Sequence, residues 1–269
     1  GSVSGGFVHE RSTIDAYYAA GGAVGFMKGS STISRGILSY KNVSAGSHAG
    51  GIVGHMESGQ IAMSGSYKPT ENSESINFGE TGNISASSTA GGAVGFMDGG
   101  SIDAMSGTAR SVSGAEDSGG LVGRMAKGSI NTGIASADVS GNNAGGAVGY
   151  MNSGTIISFN HKKESSDPKA EEVESYVEGG FAAGGIVGYL KGNSISGGKA
   201  ATIVTANIYA GGVVGFMEGG NVSAGGGTKE VTATSGYTDE GRKGSAGGAI
   251  GRMEGGRIDG CTAAEEVNG

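Results

Sequence analysis

A short block of small and apolar residues, of the form A-G-G-[AILV]-V-G-x-M, recurs eight times along the chain. The copies begin near positions 20, 49, 90, 118, 144, 183, 210 and 246, and the shortest repeat unit is about 27 residues. An isoleucine or valine follows later in each unit, and a V-S-G-like segment comes after it. The apolar positions lack the spacing of an amphipathic helix, and glycine pairs, which destabilise helices, interrupt them. The pattern therefore predicts three short strands per unit, separated by glycine-rich corners.

Three strands and three turns in about 27 residues match one coil of a parallel β-solenoid. We expect a single all-β repeat domain over residues 1–269, a right-handed parallel β-solenoid (β-helix-like) of about eight three-strand coils. Equivalent residues of successive coils would then stack about 4.8 Å apart. One such column, which we expect inside the solenoid, is Met27, Met56, Met97, Met125, Met151, Leu190, Met217 and Met253.

Val24 and the equivalent valines or isoleucine of the other copies conflict with a strict inward–outward alternation of side chains. Such an alternation would place these apolar residues on the outside of the solenoid. A bend at the following glycine or a covered face would resolve the conflict, and the sequence leaves both open. Partial copies of the V-S-G segment are expected at Val3-Ser4-Gly5 and Val267-Asn268-Gly269. Longer intervals predict three inserted loops, at about 66–89, 159–182 and 227–245. All three leave the repeat between the isoleucine strand and the next block, so we expect them on related sides.

Composition narrows the class of protein. The 59 glycines in 269 residues follow no three-residue period, and only two residues are proline, which excludes collagen. A net charge of −7 argues against a nucleic-acid partner. The apolar stretches are too short to insert into a membrane as a helix. A single cysteine excludes an internal disulfide framework.

The module G-G-[AILV]-V-G-x-M-x-x-G-x-I, followed by a V-S-G-type strand, resembles the GLUG motif. The resemblance covers nearly the whole chain, from about Ala20 to Gly260. Such repeats occur in tandem in large bacterial surface proteins, including immunoglobulin A peptidase-like and adhesin-like proteins. The resemblance implies an extracellular or cell-surface bacterial setting, with any signal or anchor outside this sequence, and it implies no catalytic residue. The methionine departs from the polar residue that many such repeats carry.

We predict no catalytic, cofactor-binding or metal-binding residues. The chain lacks H-E-x-x-H and phosphate-loop motifs. The in-phase carboxylates Asp103 and Asp259 lie five coils apart, too far for a shared glycosidase reaction. The candidate binding face is the position before the methionine column, which we call the aromatic ladder. Its members are Phe26, His55, Phe96, Arg124, Tyr150, Tyr189, Phe216 and Arg252.

These observations favour a non-enzymatic adhesin or stalk scaffold. It would be a spacer, or would bind a host surface glycan or protein through an outward ladder or the inserted loops. Rings that only stack on one another are the competing interpretation of the ladder. The alternative function is a polysaccharide-active β-helix enzyme, which needs convergent carboxylates. Open strand edges at the ends of a solenoid also predict end-to-end self-association.

Overall fold

The structure is a computed structural model that describes residues 2–3, 13–34, 37–38, 41–62, 77–78, 81–103, 105–107, 109–161, 174–226, 228–234 and 243–269. Across these ranges the chain forms strands, bends and turns and no helix. Successive turns of the chain pair through parallel strands in three sheets. The molecule is a parallel β-solenoid, which confirms the predicted fold class. The hand of the coil stays a prediction.

Eight V-G-x-M strands form the first sheet, here called the methionine sheet. Met97 pairs with Met56 on one side and with Met125 on the other, so like residues stack as predicted. The column is buried except for Met253, in the last of the eight strands, which is 42 % exposed. The strands are Val24–Met27, Val53–Met56, Val94–Met97, Val122–Met125, Val148–Met151, Val187–Leu190, Val214–Met217 and Ile250–Met253.

The second sheet, the isoleucine sheet, has twelve strands. Ile61 pairs with Ile33 and with Ile102, and this column fills the interior beside the methionines. Val3 pairs with Ile33, so it belongs here and the prediction of a V-S-G copy at Val3 is wrong; Ser4 and Gly5 lie outside the described residues. The strands are Ser2–Val3, Thr32–Ile33, Gln60–Ala62, Ser101–Asp103, Met105–Gly107, Ser129–Ile130, Gly133–Ala135, Thr155–Ile156, Phe159–His161, Ser194–Ala200, Asn221–Gly226 and Arg257–Asp259.

The third sheet has fifteen strands in two rows. The valine row carries the V-S-G-like segments, from Ile14, which pairs with Val43, to Val267, which pairs with Val231. The alanine row carries the first residues of each repeated block, and two long strands cover both rows. The strands are Thr13–Ala16, Ala19–Gly21, Asn42–Ala45, His48–Gly50, Thr81–Ala86, Thr89–Gly91, Ala109–Gly114, Asp117–Gly119, Asp138–Gly145, Tyr176–Gly184, Ile203–Ala206, Tyr209–Gly211, Glu230–Ala233, Ser245–Gly247 and Glu266–Asn268. Ile37–Leu38 and Asn77–Phe78 form a separate two-stranded pair.

The repeated block is divided between two sheets, and this resolves the position of the Val24-type residues. In the second copy the chain bends at Gly51 and Ile52, and the methionine-sheet strand starts at Val53. Ile52 and Val53 are both fully buried. The bend therefore comes before the valine, not at the following glycine, and it lets two consecutive apolar side chains enter the core. Gly54 lies against the Ala20 backbone, where a Cβ atom would approach the Ala20 nitrogen to 2.7 Å.

A glycine closes the turn between the methionine and isoleucine sheets in most coils. Gly154 has a φ of +117°, which L side chains rarely adopt, and Asn193 takes the equivalent place with a φ of 70°. A Cβ atom on Gly154 would overlap the Met125 methyl group and the Gly128 carbonyl oxygen of the preceding coil. The turn glycine thus leaves space for the end of a core methionine, and this coupling explains why both residues repeat together.

Strand pairing extends into the edges of the three predicted inserts. Thr81–Ala86 pairs in the valine row, Phe159–His161 pairs in the isoleucine sheet, and Glu230–Ala233 pairs in the valine row. The first two inserts follow isoleucine-sheet strands, whereas the third leaves between the valine and alanine rows at Ala233. The third insert therefore leaves from a different corner of the coil. Most of the residues between these edges lie outside the described residues.

Candidate functional site: the aromatic ladder

All eight residues of the aromatic ladder lie in one column of the methionine sheet. Their strands pair in register from Phe26, opposite His55, to Arg252, opposite Phe216. Strands of a sheet lie about 4.8 Å apart, so seven steps extend the ladder over about 34 Å. The sheet therefore fixes the ladder's order and spacing.

The rings of the ladder contact their neighbours in the column. The ring centroid of His55 lies 4.8 Å from that of Phe26 and 4.9 Å from that of Phe96. Tyr150 and Tyr189 stack at 4.9 Å with an interplanar angle of 26°. The His55 contacts are therefore edge-to-face, whereas Tyr150 and Tyr189 cover one face of each other.

Exposure varies strongly along the ladder, so it is not a uniformly outward surface. Phe26 is 47 % exposed at the first coil, whereas Phe216 is only 6 % exposed. Phe181 and Tyr209 cover Phe216, with ring centroids 5.7 and 5.3 Å away. The expectation of an outward ladder is therefore wrong at Phe216, where rings from the neighbouring sheet bury it.

A second column, in the alanine row, faces the ladder across the bend. His48 stacks on Phe96 with centroids 5.1 Å apart. At the other end, the Arg252 guanidinium lies 5.4 Å from the Tyr209 ring centroid and donates to the Tyr209 hydroxyl at 3.3 Å. This column was not predicted from the sequence. The variable residue just before the first alanine of each block was the available signal.

Charged groups occupy the centre of the face, at Arg124. Its Nε donates to the carboxylate of Asp117, which is fully buried, and its Nη2 lies 3.3 Å from Glu116 Oε2. Asn143 Nδ2 also donates to Asp117, at 2.8 Å. Burial raises the pKa of Asp117, and the Asn143 hydrogen bond and the Arg124 charge oppose that rise only in part. Arg124 also lies 5.1 Å from the Tyr150 ring centroid, so it joins the ion pair to the ladder.

Two histidines sit at the N-terminal end of the face. The His48 and His55 ring centroids are 5.5 Å apart, and His48 Nδ1 is hydrogen-bonded to Thr89 Oγ1 at 2.8 Å. Burial, helped by the nearby His55 and Arg124 charges, lowers the pKa of His48 to about 4. Burial also lowers the pKa of His55. Both imidazoles are therefore neutral at pH 7, as rings packed against phenylalanines should be.

Phe181, at the C-terminal end, lies beside an irregularity between coils. Gly141 pairs with Gly179 and Asn143 pairs with Ala182, so the later strand carries one extra residue between these pairs. The strand Tyr176–Gly184 pairs with the following coil without a shift, so the preceding strand is the one that is a residue short. Beside this irregularity Phe181 contacts Tyr209, with ring centroids 5.1 Å apart. The sequence carries the signal for this irregularity, because the interval from Val139 to the next alanine is one residue shorter than in the other coils.

The described part of the chain contains no group of three metal-ligating side chains. Asp103 and Asp259 are separated by five strand steps of the isoleucine sheet, about 24 Å at 4.8 Å per step. No helix long and apolar enough to cross a membrane occurs among the described residues. Comparison of the chain with family models, with curated proteins and with solved structures finds no match.

Proposed function

We propose that this chain is a rigid, non-catalytic repeat scaffold of a bacterial cell-surface or secreted protein, of the adhesin or stalk kind. The unbroken register of the methionine sheet through eight coils supports this proposal. Every coil hydrogen-bonds to its neighbours, as in Glu57 N–H to Met27 O at 2.8 Å and Asp98 N–H to Met56 O at 2.8 Å. Such repetition extends a protein in one direction at constant cross-section.

The geometry of the ladder supports a structural role more than sugar binding. A sugar ring packs on an aromatic face, and the faces of Tyr150 and Tyr189 are already stacked on each other. The Tyr189 hydroxyl also donates to Glu218 Oε2 at 3.0 Å. The ladder thus braces one side of the rod. Binding of a host glycan or protein through the ladder or the inserted loops remains part of the proposal to be tested.

The carboxylate environments favour a scaffold over the polysaccharide-active alternative. A glycosidase needs one carboxylic acid and one carboxylate about 5–10 Å apart, both reaching substrate. Burial raises the pKa of Asp103, but hydrogen bonds from Gln60, Asn131 and Ser101 outweigh burial and hold the pKa below its ordinary value. Asp117 has the raised pKa of an acid but is fully buried against Arg124, where no substrate reaches it.

Deletion of one coil tests the scaffold. Removing residues 118–143 joins Asp117 to Ala144 and keeps every column in register, whereas removing 118–130 breaks the register. Spin labels at Ser87→Cys and Thr234→Cys, with Cys261→Ser, should report a distance shorter by about 4.8 Å in the full-coil deletion. The half-coil deletion should instead lose the cooperative fold. Equal tolerance of both deletions would contradict the rod.

A parallel assay tests the absence of catalysis. The intact chain should release no reducing ends from a panel of soluble pectins, alginates, xylans and β-glucans. Turnover that disappears in Asp103→Asn or Asp117→Asn would establish the enzyme instead. Asp259→Asn, at an exposed carboxylate in the last coil, is the matched control.

A further inference from the structure

An open groove of about 580 Å³ runs across the first coils, on the valine row and away from the aromatic ladder. Its lining is polar and small, with Asp15, Ser44 and Ser85 on one side and the chain turn toward the alanine row on the other. That turn carries Gly46 and Ser87, whose short side chains leave the space open.

The groove contains a regular row of hydroxyl groups. Asp15 pairs with Ser44, Ser44 with Ser85, and Ser85 with Ser113, so the four side chains form one column. Neighbouring members are about 4.8 Å apart. This spacing is close to the length of one pyranose residue in an extended β-linked chain. Ser44 Oγ donates to Asp15 Oδ1 at 2.7 Å, which orients the carboxylate toward the row. Each hydroxyl also keeps lone pairs able to accept from a ligand.

An exposed aromatic ring stands at the N-terminal end of this row. Tyr17 is 97 % exposed, and no described ring stacks on it. Its carbonyl oxygen lies so close to Gly46 that a Cβ atom there would overlap it, which places the Tyr17 backbone next to the groove turn. Gly46 N–H also donates to Ala16 O at 2.9 Å and holds this turn in place. In contrast to the ladder rings, Tyr17 offers both faces to a ligand.

We propose that this groove binds a linear neutral polysaccharide that lies along the rod axis. One sugar ring packs on Tyr17, the Asp15 carboxylate accepts from a sugar hydroxyl, and Ser85 and Ser113 exchange hydrogen bonds with the following residues. An open groove of small side chains, which combines hydroxyl groups with alanines and has no large apolar anchor, suits a hydroxyl-rich chain better than a protein surface, whose binding depends on such anchors. The inference deepens the proposed surface scaffold, on which it rests, by giving the class of ligand and the site.

Titration calorimetry with cellohexaose, chitohexaose and xylohexaose tests the groove directly. At least one hexasaccharide should bind. Tyr17→Ala should weaken that binding about tenfold or more, and Ser85→Arg, which fills the groove, should abolish it. Matched controls are Tyr176→Ala, a partly exposed tyrosine in a later coil of the same sheet, and Thr205→Arg, in the serine column beyond the groove. Both controls should bind as the parent chain does.

Two results would overturn the groove assignment. One is the absence of binding by all three hexasaccharides together with no signal on a glycan array. The other is binding that survives Tyr17→Ala and Ser85→Arg, or a partner protein that these substitutions displace. Neither result affects the scaffold, because the coil-deletion distances are measured without ligand. Failure of the scaffold would appear there, as loss of the fold in the full-coil deletion.

Discussion

The turn glycine is a position where a single added methyl group should strongly destabilise the solenoid. Gly154→Ala places a Cβ atom at a φ of +117°, in a backbone region that is strained for any L residue by about 1–3 kcal/mol. The same atom overlaps the Gly128 carbonyl oxygen, which is held in the sheet and cannot move away. Overpacking of this kind adds about 1–3 kcal/mol. The sum predicts a loss of about 2–6 kcal/mol.

Substitutions at two other glycines of the same turn region distinguish the backbone strain from the overlap with the neighbouring coil. Gly29 has a φ of +73°, but a Cβ atom there would meet no other atom within 4 Å, so Gly29→Ala should cost about 1–2 kcal/mol from the backbone alone. Gly192 has only an ordinary contact, 3.6 Å to Asn152 O, and no positive φ. Gly192→Ala should therefore be neutral or stabilise the chain by up to about 1 kcal/mol.

Thermal unfolding of the three variants, followed by far-ultraviolet circular dichroism, checks the order. At about 2–4 °C per kcal/mol for a chain of this size, Gly154→Ala should melt at least about 4 °C below the parent chain. Gly29→Ala should lie between the parent chain and Gly154→Ala. If Gly29→Ala and Gly154→Ala melt together, the contact with the neighbouring coil contributes nothing and the reasoning is refuted.

Three further predictions concern the face around the ladder. Phe216→Ala should cost about 3 kcal/mol because the ring is 6 % exposed, whereas Phe26→Ala, at 47 % exposed, should cost less than half as much; similar melting losses would contradict this. Arg124→Ala should cost about 2 kcal/mol by leaving Asp117 buried and unpaired, and a double-mutant cycle should show coupling of at least about 1 kcal/mol rather than additivity. The pKa of His48 is lowered from 6.5 to about 4, so the unfolded chain takes up the proton first as pH falls. Stability should therefore fall between pH 6.5 and 4, and His48→Gln should show a smaller fall; an unchanged pH profile would exclude His48 as the cause.

The stacking of the coils could be predicted because the recurring residues of the repeat define which residues pair between adjacent coils. When the same residue recurs in eight copies, one correct pairing such as Met97 with Met125 fixes all the others. The bend before Val53 could not be read in the same way, because alternation assumes a continuous strand. Val3 was misassigned for a related reason: a two-residue match has no neighbours to fix its register, and its pairing with Ile33 depends on the fold.

The residues that form the ladder could also be predicted from the sequence, but their burial could not. The sequence places Phe216 in the column, and only the alanine row shows that Tyr209 and Phe181 cover it. Likewise, the buried ion pair of Asp117 with Arg124 joins two sheets across a bend. Such contacts depend on how far the chain turns between two strands, which the hydrophobic pattern does not encode.

In a regular solenoid, equivalent side chains of adjacent coils contact one another, and this limits which of them can contact a ligand. A ring repeated in every coil finds another ring about 4.8 Å above and below it, so its faces are occupied by its own column. Tyr189, between Tyr150 and Phe216, illustrates this. A ring becomes available to a ligand where the column ends or is interrupted by small residues. Tyr17 is followed in its column by the small residues Gly46 and Ser87 and is 97 % exposed, so it is a better candidate for recognition than the ladder.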